Sequence, residues 1–429
     1  MPDDAKTMPR ASRRGLMQAS GLSALGVALG GAGAPGYPAP SRMDTGGVEG
    51  GRVTFPNWRG QAEPEPPPPP APLPPGERVG YAIVGLGRLS LEEILPAFGA
   101  CRQSRPVALV SGSPEKAAVV ARQYGIPDSS VLGYDNFEDL RQLREVRAVY
   151  IVLPNGMHRE YTERAAAIGK HVLCEKPMAN TPEEAQAMVE ACARAGVKLM
   201  VAYRCQYEPH SRAAIRLVRF GELGKLRFIH ATNVQSNGPG PQWRYAKALA
   251  GGGALPDIGL YCLNATRYLT GEEPVEVSAQ MQSPAGDPRF AEVEESMDFR
   301  LRFPSGIVAQ CVTSYGAFQD KTLRLLFENG LAEIPDAFAY RGQRLFVSRK
   351  AGEIIERQER VIARKNQFAT EIDHFSERLR AGEAPHTPGE EGLQDQRLMA
   401  ALYRAATEGR PVEVPSPERR TRGPEPAEG

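Results

Sequence analysis

Three side chains in the sequence have types and spacings that suit proton transfer. Asp257 and Tyr261 are four residues apart in a stretch predicted to be helical, so they share one helix face, one turn apart. A carboxylate and a phenol placed in this way form a plausible acid/base pair. The alternative is structural, with Asp257 as a helix N-cap and Tyr261 as a core residue. Lys176, between Glu175 and Pro177, follows an apolar run that predicts a strand, and it either contacts a ligand at the strand end or is solvated.

A second set of residues predicts a turn that binds phosphate. The run Gly85-Leu86-Gly87-Arg88 follows an apolar stretch and precedes a predicted helix. Two glycines let backbone N–H groups approach a pyrophosphate at the helix N-terminus. Ser90 stands where such turns often have a third glycine. The turn therefore predicts a dinucleotide site.

The end of the second predicted strand favours NADP over NAD. This position normally carries a carboxylate that accepts hydrogen bonds from the ribose hydroxyls of NAD. No Asp or Glu occurs between Glu93 and Glu115, whereas Ser111 offers a hydroxyl and Lys116 a cation. Such a pair suits the extra 2′-phosphate of NADP. The stretch from Ser113 also has the composition of an ordinary helix start, and both interpretations hold together.

An α/β framework followed by a second sheet is needed to bring these residues together. Between residues 78 and 203, short apolar runs alternate with amphipathic stretches, which predicts an N-terminal Rossmann domain with a doubly wound parallel sheet. Residues 204–410 contain long alternating runs separated by Gly/Pro turns, which predict an open, mainly antiparallel sheet. We therefore predict the class α/β plus α+β, with the second domain binding substrate and forming oligomers.

The two ends of the chain predict export and segments outside the core. Arg13-Arg14 precede an uncharged Gly/Ala-rich run, which predicts a twin-arginine signal over residues 1–45 and a periplasmic or secreted location. The alternative is a basic N-terminus with a chance arginine pair. Residues 46–77 form a Pro-rich arm that is either a solvated linker or a strap along a neighbouring subunit. The tail, residues 411–429, is predicted to be disordered.

Composition argues against several other classes of protein. The chain has 52 Lys and Arg against 51 Asp and Glu, a net charge of +1, so nothing indicates nucleic acid or an anionic membrane as a partner. Its six cysteines show no CxxC spacing, and its six histidines form no HExxH motif. No metal site is therefore predicted.

Taken together, the motifs resemble the Gfo/Idh/MocA oxidoreductases. The motifs that carry this resemblance are VGLG, LPNGMH, CEKP, YRCQYEP, QWR, AGGG and DIGLY. The resemblance covers roughly residues 78–410. Tyr261 stands where many relatives have His, and with the arm and the signal it is typical of the periplasmic glucose–fructose subgroup. Ser90 and the high proline content of the arm are departures from the family pattern.

The resemblance implies an enzyme with tightly bound, non-dissociating NADP. It would oxidise an aldose at C1 to its lactone and pass the hydride to a ketose or another carbonyl sugar. The implied catalytic residues are Lys176, Tyr261 and Asp257, and we expect the ammonium of Lys176 to favour the phenolate of Tyr261. The full set of residues predicted to bind the cofactor is Gly85, Leu86, Gly87, Arg88, Ser111, Lys116, Pro154, Asn155, His158, Glu175, Lys176, Arg204, Trp243 and Arg244.

Two alternatives and a set of partners complete the prediction. The first alternative is an NADP-dependent sugar or polyol dehydrogenase or reductase whose cofactor exchanges, and the second is a non-catalytic NADP-binding sensor. Expected partners are small sugars, the twin-arginine export machinery and further copies of the chain in a homodimer or homotetramer. Neither nucleic acid nor, after signal removal, a membrane is expected.

Overall fold

The computed structural model describes residues 46–55, 78–238, 240 and 242–426. The predicted signal and most of the Pro-rich arm lie outside this part of the chain. No helix within the described ranges has the length and apolar character needed to cross a bilayer.

The described part of the arm forms a short hairpin. Its strands are β1 (Gly47–Glu49) and β2 (Arg52–Thr54), which pair antiparallel. The hairpin lies against the helix at Pro114–Tyr124 in the following sheet domain.

A six-stranded parallel sheet follows, which confirms the predicted Rossmann architecture. Its strands are β3 (Val79–Val84), β4 (Ser104–Val110), β5 (Val131–Leu132), β6 (Val146–Ile151), β7 (His171–Glu175) and β8 (Leu199–Ala202). Their spatial order is β5-β4-β3-β6-β7-β8, so the chain changes direction across the sheet at β3. Every residue of β3 is buried, because both faces of the sheet are covered.

Helices connect these strands and begin where their caps predict. They are α1 (Leu95–Ala97), which continues a π-helical turn at Ser90–Ile94, α2 (Pro114–Tyr124), α3 (His158–Ala167) and α4 (Pro182–Ala195). Ser113 and Thr181 cap α2 and α4, each accepting a backbone hydrogen bond through its hydroxyl oxygen. Pro at the first position of each helix needs no hydrogen-bond partner for its nitrogen, so both starts are locally encoded.

A nine-stranded sheet forms the second half, as predicted. Its strands are β9 (Leu226–Val234), β10 (Glu276–Gln282), β11 (Ser296–Arg302), β12 (Val308–Ser314), β13 (Leu323–Phe327), β14 (Gly330–Ile334), β15 (Leu345–Ala351), β16 (Ile354–Arg360) and β17 (Val412–Glu413). All neighbouring pairs are antiparallel except β9 and β12. Its helices are α5 (Pro209–Phe220), α6 (Lys247–Ala250), α7 (Leu260–Thr270), α8 (Gln367–Ala381) and α9 (Gly389–Glu408).

Helix α8 packs on the first sheet although it follows strands β9 to β16 of the second sheet in sequence. The hydroxyl of Tyr81 on β3 donates to the carbonyl oxygen of Ile372 and lies 2.9 Å from Oγ of Ser376. Asp373 accepts backbone hydrogen bonds from Arg102 and Gln103. These contacts fix the middle of α8 against the beginnings of β3 and β4.

The C-terminal tail is ordered through residue 426, so the prediction of disorder is wrong for most of it. Val412 and Glu413 form β17 at the edge of the larger sheet. Thr421 donates to Glu391, which also pairs with the fully buried guanidinium of Arg267 on α7. The polar composition suggested solvation, but these tail groups instead satisfy buried charges.

Candidate active site

A cavity of about 410 Å³ lies where the parallel strands end. Its walls come from the loops after β3, β4, β6 and β7 on one side and from the starts of α7 and α8 on the other. In open α/β sheets this edge is where ligands bind, next to the point at which the strand order reverses. All the predicted catalytic and cofactor-binding residues line this cavity except His158.

The glycine turn has the backbone freedom that a pyrophosphate needs. Gly85 has φ of +93°, and a Cβ there would lie 2.3 Å from the carbonyl oxygen of Val152, so only glycine fits. A Cβ at Gly87 would meet nothing within 4 Å, so the chain there faces open space. Ser90, in place of a third glycine, donates to the carbonyl oxygen of Gly85 at 2.5 Å and closes the turn. The turn fits a dinucleotide.

The outer end of the cavity contains two cations, one of which is paired with Glu92, and the end of β4 carries no carboxylate. Lys116 and Ser111 are both buried there, and Arg88 lies beside them on the glycine turn. Phe55 of the arm hairpin covers the two cations, with its ring centroid 4.9 Å from the Arg88 guanidinium carbon and 5.8 Å from Lys116 Nζ. Two cations and a hydroxyl are a donor set for a phosphate monoester.

Asp257 fixes the position of Lys176. The Nζ atom of Lys176 donates to the main-chain oxygen of Asp257 at 2.5 Å and to its Oδ1 at 3.3 Å. The Oδ2 atom accepts from Nε of Arg244 at 2.8 Å and from the hydroxyl of Tyr315 at 2.7 Å. Burial by itself would raise the pKa of Asp257, but Arg244 and Lys176 outweigh it and hold that pKa well below its usual range. Asp257 therefore stays ionised at neutral pH and orients the lysine rather than exchanging protons.

The hydroxyl of Tyr261 is bound by Arg204 and not by Lys176. Arg204 Nε donates to it at 3.2 Å, whereas Lys176 Nζ lies 4.6 Å from the centroid of the phenol ring. Burial raises the pKa of Tyr261 despite the opposing charge of Arg204. The expected stabilisation of a phenolate by Lys176 is thus corrected: in this arrangement the phenol is neutral, and Lys176 is held by Asp257.

His158 does not line the cavity and lies behind it. Its ring is fully buried, with its two nitrogens 2.9 Å from the carbonyl oxygens of Leu153 and Pro177. Burial lowers the pKa of His158 to about 4. As the first residue of α3 it points inward and joins the loop after β6 to the loop after β7. This replaces the predicted cofactor contact by a role in positioning two loops that do line the cavity.

The AGGG motif, residues 250–253, lies in the segment that precedes Asp257, and hydrogen bonds and close contacts fix this segment in place. The backbone N–H groups of Gly253 and Leu255 donate to the Glu294 carboxylate, each at 2.9 Å. A Cβ at Gly252 would lie 1.9 Å from the hydroxyl oxygen of Tyr403, and one at Gly253 would lie 1.8 Å from the carbonyl oxygen of Glu294. The glycines are therefore required by close approach of other chain segments.

Several cavity residues carry no recognisable signal in the sequence. Tyr340 and Phe368 line the cavity beside Arg204, whose guanidinium carbon lies 4.6 Å and 5.6 Å from their ring centroids. Tyr315, which orients Asp257, comes from the end of β12. Aromatic residues of this kind look like ordinary core residues until packing places them beside a charge.

Comparisons with known proteins identify relatives of both predicted domains. The sequence model of the oxidoreductase family GFO/IDH/MocA, with an NAD-binding Rossmann fold, matches residues 79–203, and that of the GFO/IDH/MocA C-terminal domain matches residues 211–333. D-xylose 1-dehydrogenase [NADP(+)] of Haloarcula marismortui is 34% identical over 333 residues, 76% of this chain and 91% of the relative.

Two further proteins extend the comparison. D-xylose 1-dehydrogenase (NADP(+)) 2 of Haloferax volcanii is 29% identical over 340 residues, 78% of this chain and 99% of the relative. The crystal structure of aldose-aldose oxidoreductase from Caulobacter crescentus complexed with glycerol matches with a TM-score of 0.76 and 45% identity, covering 79% of this chain and all of that one. Family models match the first predicted domain and residues 211–333 of the second, which confirms the resemblance, and the chain belongs to the GFO/IDH/MocA oxidoreductase family.

Proposed function

We propose that this protein is an exported sugar oxidoreductase that keeps NADP(H) bound, oxidises an aldose at C1 to its lactone and reduces a second carbonyl sugar. The proposal rests on one observation. Lys176 contacts both Asp257 and Tyr261, and all three line the same cavity as the glycine turn. Its coarser part, an NAD(P)-dependent oxidoreductase of sugars, rests on relatives whose names specify D-xylose, aldoses and NADP.

The proposed roles follow from the contacts of each side chain. When bound, NADP(H) accepts a hydride from C1 of one sugar and gives it to the carbonyl carbon of the next. In the first half-reaction the ionised form of Tyr261 takes the proton of the C1 hydroxyl and becomes the neutral phenol, and in the second half-reaction this phenol gives the proton to the carbonyl oxygen. Lys176 stabilises the negative charge that develops on the reacting oxygen, and Asp257 holds the lysine in place.

The cationic end of the cavity is expected to select NADP, and Lys116→Ala tests this. Loss of a charge-assisted contact should weaken NADPH binding by about tenfold to a hundredfold and change NADH binding little. Fluorescence titration of nucleotide-free protein measures both affinities. The exposed Lys225, outside the cavity, provides a matched control as Lys225→Ala. Equal losses for the two nucleotides would contradict a contact with the 2′-phosphate.

Retention of the cofactor is proposed because residues 1–45 are predicted to form an export signal for folded proteins. To stay bound for hours at an association rate constant of about 10⁶ M⁻¹s⁻¹, NADP needs a dissociation constant of roughly 10⁻¹⁰ M. This corresponds to a binding free energy of about −13.6 kcal/mol. The hairpin at residues 46–55 supports this, since Phe55 closes the outer end of the cavity over Arg88 and Lys116.

One experiment tests the captive cofactor and the two-sugar reaction together. Purified protein is denatured, and the released nucleotide is identified by mass and absorbance. Native protein is then given an aldose alone, which should produce the absorbance of NADPH without added nucleotide, and a second sugar should remove it. Parallel lines in double-reciprocal plots of the two sugars are expected, because each sugar meets a different form of the enzyme.

The main alternative is a dehydrogenase whose NADP exchanges, and the match to D-xylose 1-dehydrogenase favours it. It would show intersecting lines and an absolute need for added NADP. A non-catalytic sensor is less favoured, because the three catalytic candidates meet in one cavity. Any sugar-dependent change in NADPH absorbance would exclude the sensor.

Export and self-association are further proposals. The predicted signal should place the protein in the periplasm or outside the cell, and fractionation with the arginine pair intact or replaced by lysines tests this. A homodimer or homotetramer is supported by Phe228 and Val312, apolar side chains on one face of the larger sheet that are 46% and 44% exposed. A monomer in sedimentation would contradict it.

A further inference from the structure

Two carboxyl groups and a phenol form a buried cluster next to Lys176, the lysine proposed to be catalytic. The cluster consists of Tyr150 on β6, Glu175 at the end of β7 and Glu371 on α8, exposed by 0%, 6% and 0%. The hydroxyl of Tyr150 lies 2.9 Å from Oε1 of Glu175 and 3.5 Å from Oε1 of Glu371. The proposed reaction gives no role to Tyr150 or Glu371.

The contacts of the two carboxyl groups differ, and this decides which one holds a proton. Glu175 accepts from the hydroxyl of Tyr150 and from the backbone N–H of Lys176, at 2.9 and 3.2 Å. Within the described residues, Oε2 of Glu371 has no hydrogen-bond partner. A single phenol can donate to one carboxylate only, and two buried negative charges this close cannot both persist. The proton belongs on Glu371, because its ionised form has the fewer donors.

We propose that Glu371 is a positioning residue that holds one proton for the Glu175–Glu371 pair and so keeps a single negative charge beside Lys176 and Tyr261. Glu371 then donates to Tyr150, and Tyr150 donates to Glu175, so the three groups form one chain. The inference rests on the roles proposed for Lys176 and Tyr261, but the protonation of the pair is measurable without turnover.

The groups around Glu371 determine the direction of its titration. Those that face it are Tyr150 from β6, Glu175 from β7, Arg204, Cys205 and Tyr207 from the segment after β8, and Cys101 from the segment before β4. Burial raises the pKa of both carboxyls, and the charge of Glu175 raises that of Glu371 further, while Arg204 opposes the change. The pair therefore keeps its shared proton to a higher pH than an isolated carboxyl group would, and loses it as pH rises through the raised pKa.

Loss of that proton would add a negative charge close to the groups proposed to react and would change the pKa of Tyr261. Glu175 already raises the pKa of Tyr261, so a second charge on Glu371 would make the phenol a still weaker acid. Sugar oxidation, which needs Tyr261 to accept a proton from a hydroxyl, would then depend on the ionisation of a residue outside the cavity. Glu371→Gln has the shape of the protonated acid and removes that ionisation.

Infrared spectroscopy across a pH titration tests the protonation directly. The wild type should show the carbonyl stretch of a neutral carboxylic acid at neutral pH, beyond the signals of other buried acids. This band should be missing from Glu371→Gln, because Glu175 without its like-charged neighbour ionises at lower pH. Glu377→Gln removes an exposed carboxyl from the same helix and should leave the band unchanged. A band that persists in Glu371→Gln would overturn the proposal.

Single-turnover kinetics link the protonation to the reaction. With aldose alone, the rate of NADPH formation in the wild type, plotted against pH, should bend downward at the pH where the infrared band disappears. The same plot for Glu371→Gln should lack this bend. Tyr150→Phe removes the donor to the ionised pair and should move the bend upward by about one pH unit or more, which also serves if Glu371→Gln does not fold. Unshifted bends in both variants would contradict a positioning role. If no sugar reduced the bound cofactor, the proposed function would fail while the infrared result would still stand.

Discussion

Replacing Tyr261 with phenylalanine is expected to lower kcat for sugar oxidation by about a hundredfold or more, equivalent to about 2.7 kcal/mol in the barrier. The variant keeps the ring between Lys176 and Phe338 and removes only the hydroxyl that Arg204 holds at 3.2 Å. Among the described residues that line the cavity, no other phenol has its hydroxyl hydrogen-bonded to Arg204. The proton of the C1 hydroxyl should therefore lose its proposed acceptor. Stopped-flow measurement of NADPH formation gives the rate.

The control for this variant is Tyr268→Phe on the same helix. Tyr268 is buried outside the cavity, so its loss should leave the rate within about threefold of wild type and affect stability only. Nucleotide content should be unchanged in both proteins. A Tyr261→Phe enzyme within about threefold of wild type would overturn the role of the phenol.

The raised pKa of Tyr261 also sets the direction of the pH dependence. Burial keeps the phenol protonated below its raised pKa, and only the ionised form accepts a proton. The oxidative half-reaction should therefore become faster as pH rises through the neutral range. Tyr261→Phe should lose this dependence, which separates a proton-transfer role from a packing role.

Replacing Lys176 with methionine is expected to slow the same step by about a hundredfold to a thousandfold. The ammonium contacts both Asp257 and the Tyr261 ring, and we propose that from this position it supplies positive charge to the reacting oxygen. Methionine keeps the length and removes the charge. Asp257 keeps its hydrogen bonds from Arg244 and Tyr315, so the cavity should retain its shape.

Two measurements separate this effect from a structural loss. The thermal midpoint and the nucleotide content of Lys176→Met should match those of Lys225→Met, a change at an exposed lysine that does not line the cavity. Its rate should fall for both the aldose and the carbonyl sugar, because the same oxygen charge is stabilised in each direction. A loss confined to nucleotide binding would show that Lys176 serves the cofactor alone.

Much of the framework could be read from local patterns. The caps at Ser113 and Thr181 start helices where the side-chain oxygen satisfies an otherwise unpaired N–H, and this depends on neighbours only. The turn at Gly85 is likewise encoded by a residue that tolerates positive φ. The prediction that the tail is disordered was wrong. The tail contacts Glu391, which pairs with Arg267, and both residues are distant from it in the sequence.

By itself the sequence determined the two sheet types, the glycine turn and the identity of the residues that could do chemistry, because periodicity, capping and turn signals are local. Tertiary structure alone decided which charge touches which group. It placed Arg204 rather than Lys176 on the Tyr261 hydroxyl, turned His158 away from the cavity and brought Glu371 to within reach of Tyr150. These contacts join residues tens to hundreds of positions apart, and close packing of both sheets with α7 and α8 sets their distances.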